Sequence, residues 1–198
     1  ESFARLVEAV RALPGVDGVA LGRYVPLGVE ASQRRIRAPG YEPGTGESMN
    51  IRHNIVGPGY FAVMGIPILE GREFRGADAE ARDQERERVV PVGGSSVAPL
   101  EGGVPGQEAD SRGTAPGSMP STSPTPVVVN QGFAKRYWPG RSALGQRFDA
   151  GGILCEVVGV AATGKYQRLG EEPMPFFYFP WPRFRSDVIT FHLRPRGD

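Results

Sequence analysis

Two histidines, His53 and His192, and one cysteine, Cys155, are the side chains best suited to chemistry near neutral pH. An imidazole titrates there, and a thiolate is a nucleophile and a metal ligand. Each histidine sits in an alternating strand-like stretch, so the residues around them predict structural imidazoles rather than a general base. Cys155, within Leu154-Cys155-Glu156-Val157-Val158, reads as a small core residue. A lone cysteine can form no internal disulfide, and with only two histidines it builds no metal centre. The redox compartment stays open on that count.

The glycine-rich stretches fail as phosphate cradles. Gly57-Pro58-Gly59 begins like a dinucleotide fingerprint, but the third glycine is missing and proline removes an N–H donor. Gly159 to Lys165 has the glycine and lysine spacing of a P-loop after a strand. Tyr166 stands where the magnesium-binding Ser or Thr belongs, and Gly170 and Pro173 leave little room for a helix. The segment reads as a strand-to-turn exit. Gly93-Gly94-Ser95-Ser96 lacks the closing glycine of a nucleophile elbow. Paired carboxylates occur at Glu171-Glu172 and along Asp78–Glu87, yet neither has the apolar setting that separates two pKa values. Both predict solvated surface charge. Phe176, Phe177, Tyr178, Phe179 and Trp181 have too few flanking charges for a nucleic-acid platform and predict a core strand with an exposed aromatic edge. The closing Arg196-Gly197-Asp198 is a chance tripeptide.

The elements that hold these residues are short. Ser2 caps a predicted helix over 3–13, with Phe3, Leu6, Val7, Val10 and Leu13 at i, i+3, i+4 spacing. Strands are expected around Val16–Leu21, at Arg35-Ile36-Arg37 and over Met49–Ile55. A short helix follows Pro58, with Tyr60, Phe61 and Met64 as its apolar face, and an extended arm runs from Ile66 to Phe74. Asp78–Arg88 lacks an apolar stripe and predicts a solvated helix or loop. Val127-Val128-Val129, Ile153–Ala161, 175–180 and 187–193 read as strands, with a helix over Gln131–Trp138 stopped by Pro139-Gly140. Helices and strands mix without strict alternation, so the fold class is α+β.

Residues 91–126 differ from everything around them, with seven glycines, seven prolines and six serines. Such a composition buries too little apolar area to offset its ordering entropy. It reads as a flexible loop inserted in one folded unit; the alternative is a linker between two domains. The 198 residues carry 23 Lys+Arg against 22 Asp+Glu, a net charge of +1, which excludes a dedicated nucleic-acid binder. Glycine and proline, 28 and 19 residues, exclude a long helical bundle. No apolar run is long enough to span a membrane. Starting at Glu1 without a signal peptide and ending on Asp198 without a closing element, the chain reads as a piece of something longer.

Three ordered stretches resemble the MacB-like periplasmic core domain of MacB/FtsX-type ABC transporter permeases. They are Pro14–Ala20 with Pro26-Leu27; Val56–Phe74, with Pro58-Gly59-Tyr60-Phe61, Met64-Gly65-Ile66-Pro67, Gly71-Arg72 and Phe74, then Asp78; and Val127–Asn130 with Ala134–Gly140, Leu144–Phe148, Glu156–Ala161 and Tyr178–Pro180. The resemblance implies a two-lobed extracytoplasmic domain. Its porter-like lobe of mixed strands and helices would take 1–57 and 153–198. A smaller α+β lobe, 58–152, would be inserted in it and would carry the 91–126 loop. Gly59 and Gly65 would let the short helix pack tightly, and Arg72 and Glu73 on the arm would lock the lobe to the charged helix after Asp78. The implied function is non-catalytic, with no cofactor, metal or catalytic residue: transmembrane movement is coupled to a periplasmic partner or cargo. The implied partners are the permease's own transmembrane helices, a cytoplasmic ATPase, a second permease copy and a periplasmic protein. The different reading is a periplasmic module that binds a small ligand, for which the discriminating feature is an apolar pocket of several hundred cubic ångströms.

Overall fold

The computed structural model describes residues 2–28, 32–80, 123–166, 168, 170–181 and 189–197. Helix α1 (Ser2–Arg11) leads into β1 (Val16–Gly22) and β2 (Ser32–Arg37), then β3 (Asn50–Val56), α2 (Tyr60–Val63), β4 (Ile68–Gly71) and α3 (Gly76–Glu80). After the gap come β5 (Thr125–Asn130), α4 (Gln131–Tyr137), β6 (Arg147–Ala150), β7 (Leu154–Ala161), β8 (Phe176–Pro180) and β9 (Thr190–Pro195). The expected α+β mixture is present. Gly93–Ser96, most of the 91–126 loop and residues 81–88 lie outside the described residues, as do Asp187 and Val188.

The strands form one sheet that closes on itself. β2 pairs with β6, β6 with β7, β7 with β5, β5 with β8, β8 with β3, and β3 returns to β2. The β3–β8 and β5–β7 pairs are parallel and the rest antiparallel. β1 and β9 attach beside β3, and β4 attaches to β7. Six strands enclose room for side chains and nothing more, and alternation sorts the two faces. Ile36, Ile51, Val127, Val129, Phe177 and Phe179 pack in the interior, where Phe133, Tyr137 and Trp138 of α4 join them. Val56, Val128, Phe176 and Tyr178 face outward and are covered by Tyr60 and Phe61 of α2 and by Phe74.

Strands of the two expected lobes are shared along this one sheet. β4, β5 and β6, from 58–152, all pair with β7, and β5 and β6 also pair with β8 and β2. Closing the ring needs strands from both segments, so no sheet break falls at 57/58 or 152/153.

Two local readings need correction. Gly59 and Gly65 are not close-packing glycines: an added Cβ would meet nothing within 4 Å. Their role is conformational, with φ of 77° at the residue before α2 and 66° just after it, a region that costs other L-residues 1–2 kcal/mol, roughly. The close approach is instead at Gly159, where a Cβ would lie 2.1 Å from the Arg72 carbonyl oxygen. On α1, Val7 packs on the core while Leu6 and Leu13 stay exposed, because the helix lies along β1 at the margin of the sheet. Of the expected Arg72 and Glu73 lock only an Arg72 contact is seen, to Asp78 itself: the guanidinium donates to both carboxylate oxygens, at 2.6 and 2.9 Å, while the Glu73 Oε2 is buried without a hydrogen-bond partner among the described residues.

Candidate functional site

The outer face of the ring carries a cleft of about 240 Å³. Alternation on β3 turns Ile51 and Ile55 toward the interior and leaves Arg52 and Asn54 for the cleft, which His53 also lines. β8 contributes Phe176 and Tyr178, α2 contributes Tyr60, and the loop after β7 contributes Lys165 and Tyr166. The remaining wall is Tyr24-Val25-Pro26, following β1.

Two buried asparagines fix this wall. Asn54 clamps the loop after β1: its Oδ1 accepts from the Tyr24 N–H at 3.0 Å and its Nδ2 donates to the Tyr24 carbonyl at 2.9 Å. Asn130, with no exposed surface, joins four segments. Its Oδ1 accepts from the Phe133 N–H at 2.8 Å, capping α4, and from the Phe176 N–H at 3.0 Å. Its Nδ2 donates to the Met174 carbonyl at 2.8 Å and to the Tyr166 hydroxyl at 3.1 Å. The Tyr166 ring stacks on Phe176 with centroids 4.0 Å apart and planes within 1°. Tyr178 donates its hydroxyl proton to the Tyr166 oxygen at 3.3 Å. At the mouth, the Leu27 N–H donates to the Tyr166 carbonyl at 2.8 Å while Leu27 itself sits at φ 65°.

Burial sets the electrostatics. It pushes the Tyr60 phenol up to about 12 and raises Tyr166 and Tyr178 above the ordinary phenol value, so all three are neutral hydroxyls at neutral pH. His53 lies inward, stacked on Phe177 at 5.2 Å and edge-on to Phe179 at 5.4 Å. Its burial, with the Arg34 and Arg23 charges nearby, lowers its pKa to about 3. His192, on β9, is also lowered by burial and meets the Tyr60 ring edge-on at 5.3 Å. Both imidazoles lie on strands, as expected, and the His53 Nδ1 and His192 Nε2 are buried without a hydrogen-bond partner among the described residues. Cys155 is buried, with its thiol donating to the Ile153 carbonyl at 3.4 Å.

Two expected surfaces turn out otherwise. Glu171 is 8% exposed rather than solvated. Its carboxylate accepts from the backbone N–H groups of Tyr166 and Arg168, and the Lys165 ammonium donates to its carbonyl. The loop after β7 wraps round this carboxylate. The aromatic edge is likewise absent: Phe176 through Phe179 and Trp181 are all buried, because β8 lies between β5 and β3 with a core on each face. Asn54, Asn130, Arg52 and Tyr166 carry the site and were not legible from the sequence. The one available signal was Asn130, an amide directly before a helical stretch.

No family model matches the chain, and no curated protein matches it in sequence. The fold is found among solved structures. One is the extracellular domain of the noncanonic ABC-type transporter YknZ from Gram-positive bacteria, with a TM-score of 0.52 and 15% identity over 96% of this chain and 71% of that one. Another is the periplasmic region of MacB from Actinobacillus actinomycetemcomitans, with a TM-score of 0.56 and 12% identity over 98% of this chain and 65% of that one. The chain therefore has the fold of the MacB-like domain of ABC transporter permeases and spans about two thirds of the length of these neighbours. Among the described residues no helix is long and apolar enough to cross a membrane.

Proposed function

We propose that the chain is the extracytoplasmic domain of an ABC transporter permease, non-catalytic, and passes movement of the membrane helices to a partner protein or cargo. The observation that carries this reading is the fold likeness to YknZ and MacB over nearly the whole chain. Two features support it. Among the described residues no carboxylate lines the cleft, and its phenols are held neutral. The first and last strands also pair with each other from Val16↔Pro195 to Gly22↔Thr190, and the Arg196 N–H donates to the Gly15 carbonyl at 2.8 Å. Gly15 and Arg196 thus meet at one end of the β1–β9 ladder, an arrangement suited to a module hung from two neighbouring membrane helices. The partners in this reading are those helices, a cytoplasmic ATPase, a second permease copy and an extracytoplasmic protein.

The test is topology in the full-length protein. A Leu69→Cys variant, at a site 49% exposed, is treated in intact cells with a membrane-impermeant maleimide, while buried Cys155 stays silent. Labelling of intact cells is expected. Labelling only after lysis contradicts the proposal.

A further inference from the structure

We infer that the cleft between β3, β8, α2 and the loop after β7 is a binding site for a small organic anion, a flat apolar body bearing one carboxylate. This does not depend on the transporter reading.

Charge points to an anion. Arg52 and Lys165 line the cleft, and no carboxylate lines it among the described residues. The nearest carboxylate, Glu171, already accepts from two backbone N–H groups. Most described arginines near a carboxylate are paired, as Arg72 is with Asp78 and Arg136 with Glu47. The Arg52 side chain has no ion-pair or hydrogen-bond partner among the described residues. A guanidinium beside an apolar wall recognises a carboxylate through two parallel hydrogen bonds.

The walls point to a flat apolar body. Tyr60, Met64, Ile66, Phe176 and Tyr178 supply them, and the Tyr166 hydroxyl behind them is already bonded; His53, which also lines the cleft, keeps a buried Nδ1 without a hydrogen-bond partner among the described residues. The Tyr166 hydroxyl accepts from Asn130, Tyr178 and the Gly164 N–H, so the Gly164 N–H is not free to cradle a phosphate. The cleft is therefore pre-formed and rigid, which lowers the entropy cost of binding. Its lip is unusual in the way binding loops are: Val25 and Leu27 are 52% and 47% exposed, and Leu27 holds a left-handed backbone. A volume of about 240 Å³ lies just below the range for drug-sized ligands. It admits one ring with a short chain and excludes a peptide strand.

The probes are 3-phenylpropanoate and its uncharged amide, titrated calorimetrically against the 198-residue chain. The acid is expected to bind at least tenfold more tightly than the amide. Arg52→Gln removes that preference by weakening the acid alone, Lys165→Gln weakens the acid by a smaller factor, and Met64→Trp, which fills the cleft, abolishes both. Thermal unfolding of each variant verifies folding, and the exposed Lys165 keeps a readout if Arg52→Gln does not fold. Failure of the acid to bind, equal binding of acid and amide, or binding that survives Met64→Trp overturns the inference.

Discussion

His53 shows how burial among aromatic rings sets the charge of an imidazole. Stacked on Phe177 and repelled by Arg34 and Arg23, it stays neutral in the folded state down to about pH 3. In the unfolded chain its imidazole protonates near the ordinary 6.5. The unfolded state therefore binds the proton first, and stability present above pH 6.5 is lost as pH falls toward 3. His53→Phe keeps the aromatic packing and removes the titration. It is expected to unfold in urea within about 1 kcal/mol of the parent at pH 7 and to be the more stable of the two by roughly 2–3 kcal/mol at pH 4. Parallel pH profiles for the two proteins would show the cause to lie elsewhere. Local pattern reached His53 and Cys155 because a strand's alternation places them. It did not reach Glu171, whose burial rests on backbone N–H groups of a loop that no periodicity describes.

The elements differ in how far local sequence specifies them. The run Ile153–Ala161 reads as a strand from its pattern, and β7 occupies all of it but the first residue. β2 is nearly illegible: of Ser32-Gln33-Arg34-Arg35-Ile36-Arg37, only Ile36 is buried, yet this strand closes the ring. Closure depends on pairing between residues far apart in the chain, and hydrophobic spacing carries no record of that. The glycines separate the two kinds of constraint. Gly159→Ala would drive a Cβ into the Arg72 carbonyl and part β4 from β7, so a loss of about 3 kcal/mol is expected. Gly59→Ala meets open space and only a left-handed φ, so about 1 kcal/mol is expected. Urea unfolding ranks them; Gly59→Ala as the more damaging change would contradict this packing.

At the scale of the molecule, the class was legible because short helices mix with strands and because ordered motifs extend over the chain. The cleft was not, since its wall gathers residues from five separated segments that meet only when the ring closes. Outside the ring, the first and last strands pair in one ladder beside β3, and the account's central claim rests on that pairing: movement enters through both ends together. The direct measurement inserts a flexible Gly/Ser segment of about ten residues before Ser2 and another after Gly197 in the full-length transporter, then assays transport and ATP hydrolysis together. The account predicts that transport falls at least tenfold while basal ATP hydrolysis persists, because slack at both ends uncouples a domain that still folds. Undiminished transport with both insertions in place would contradict it.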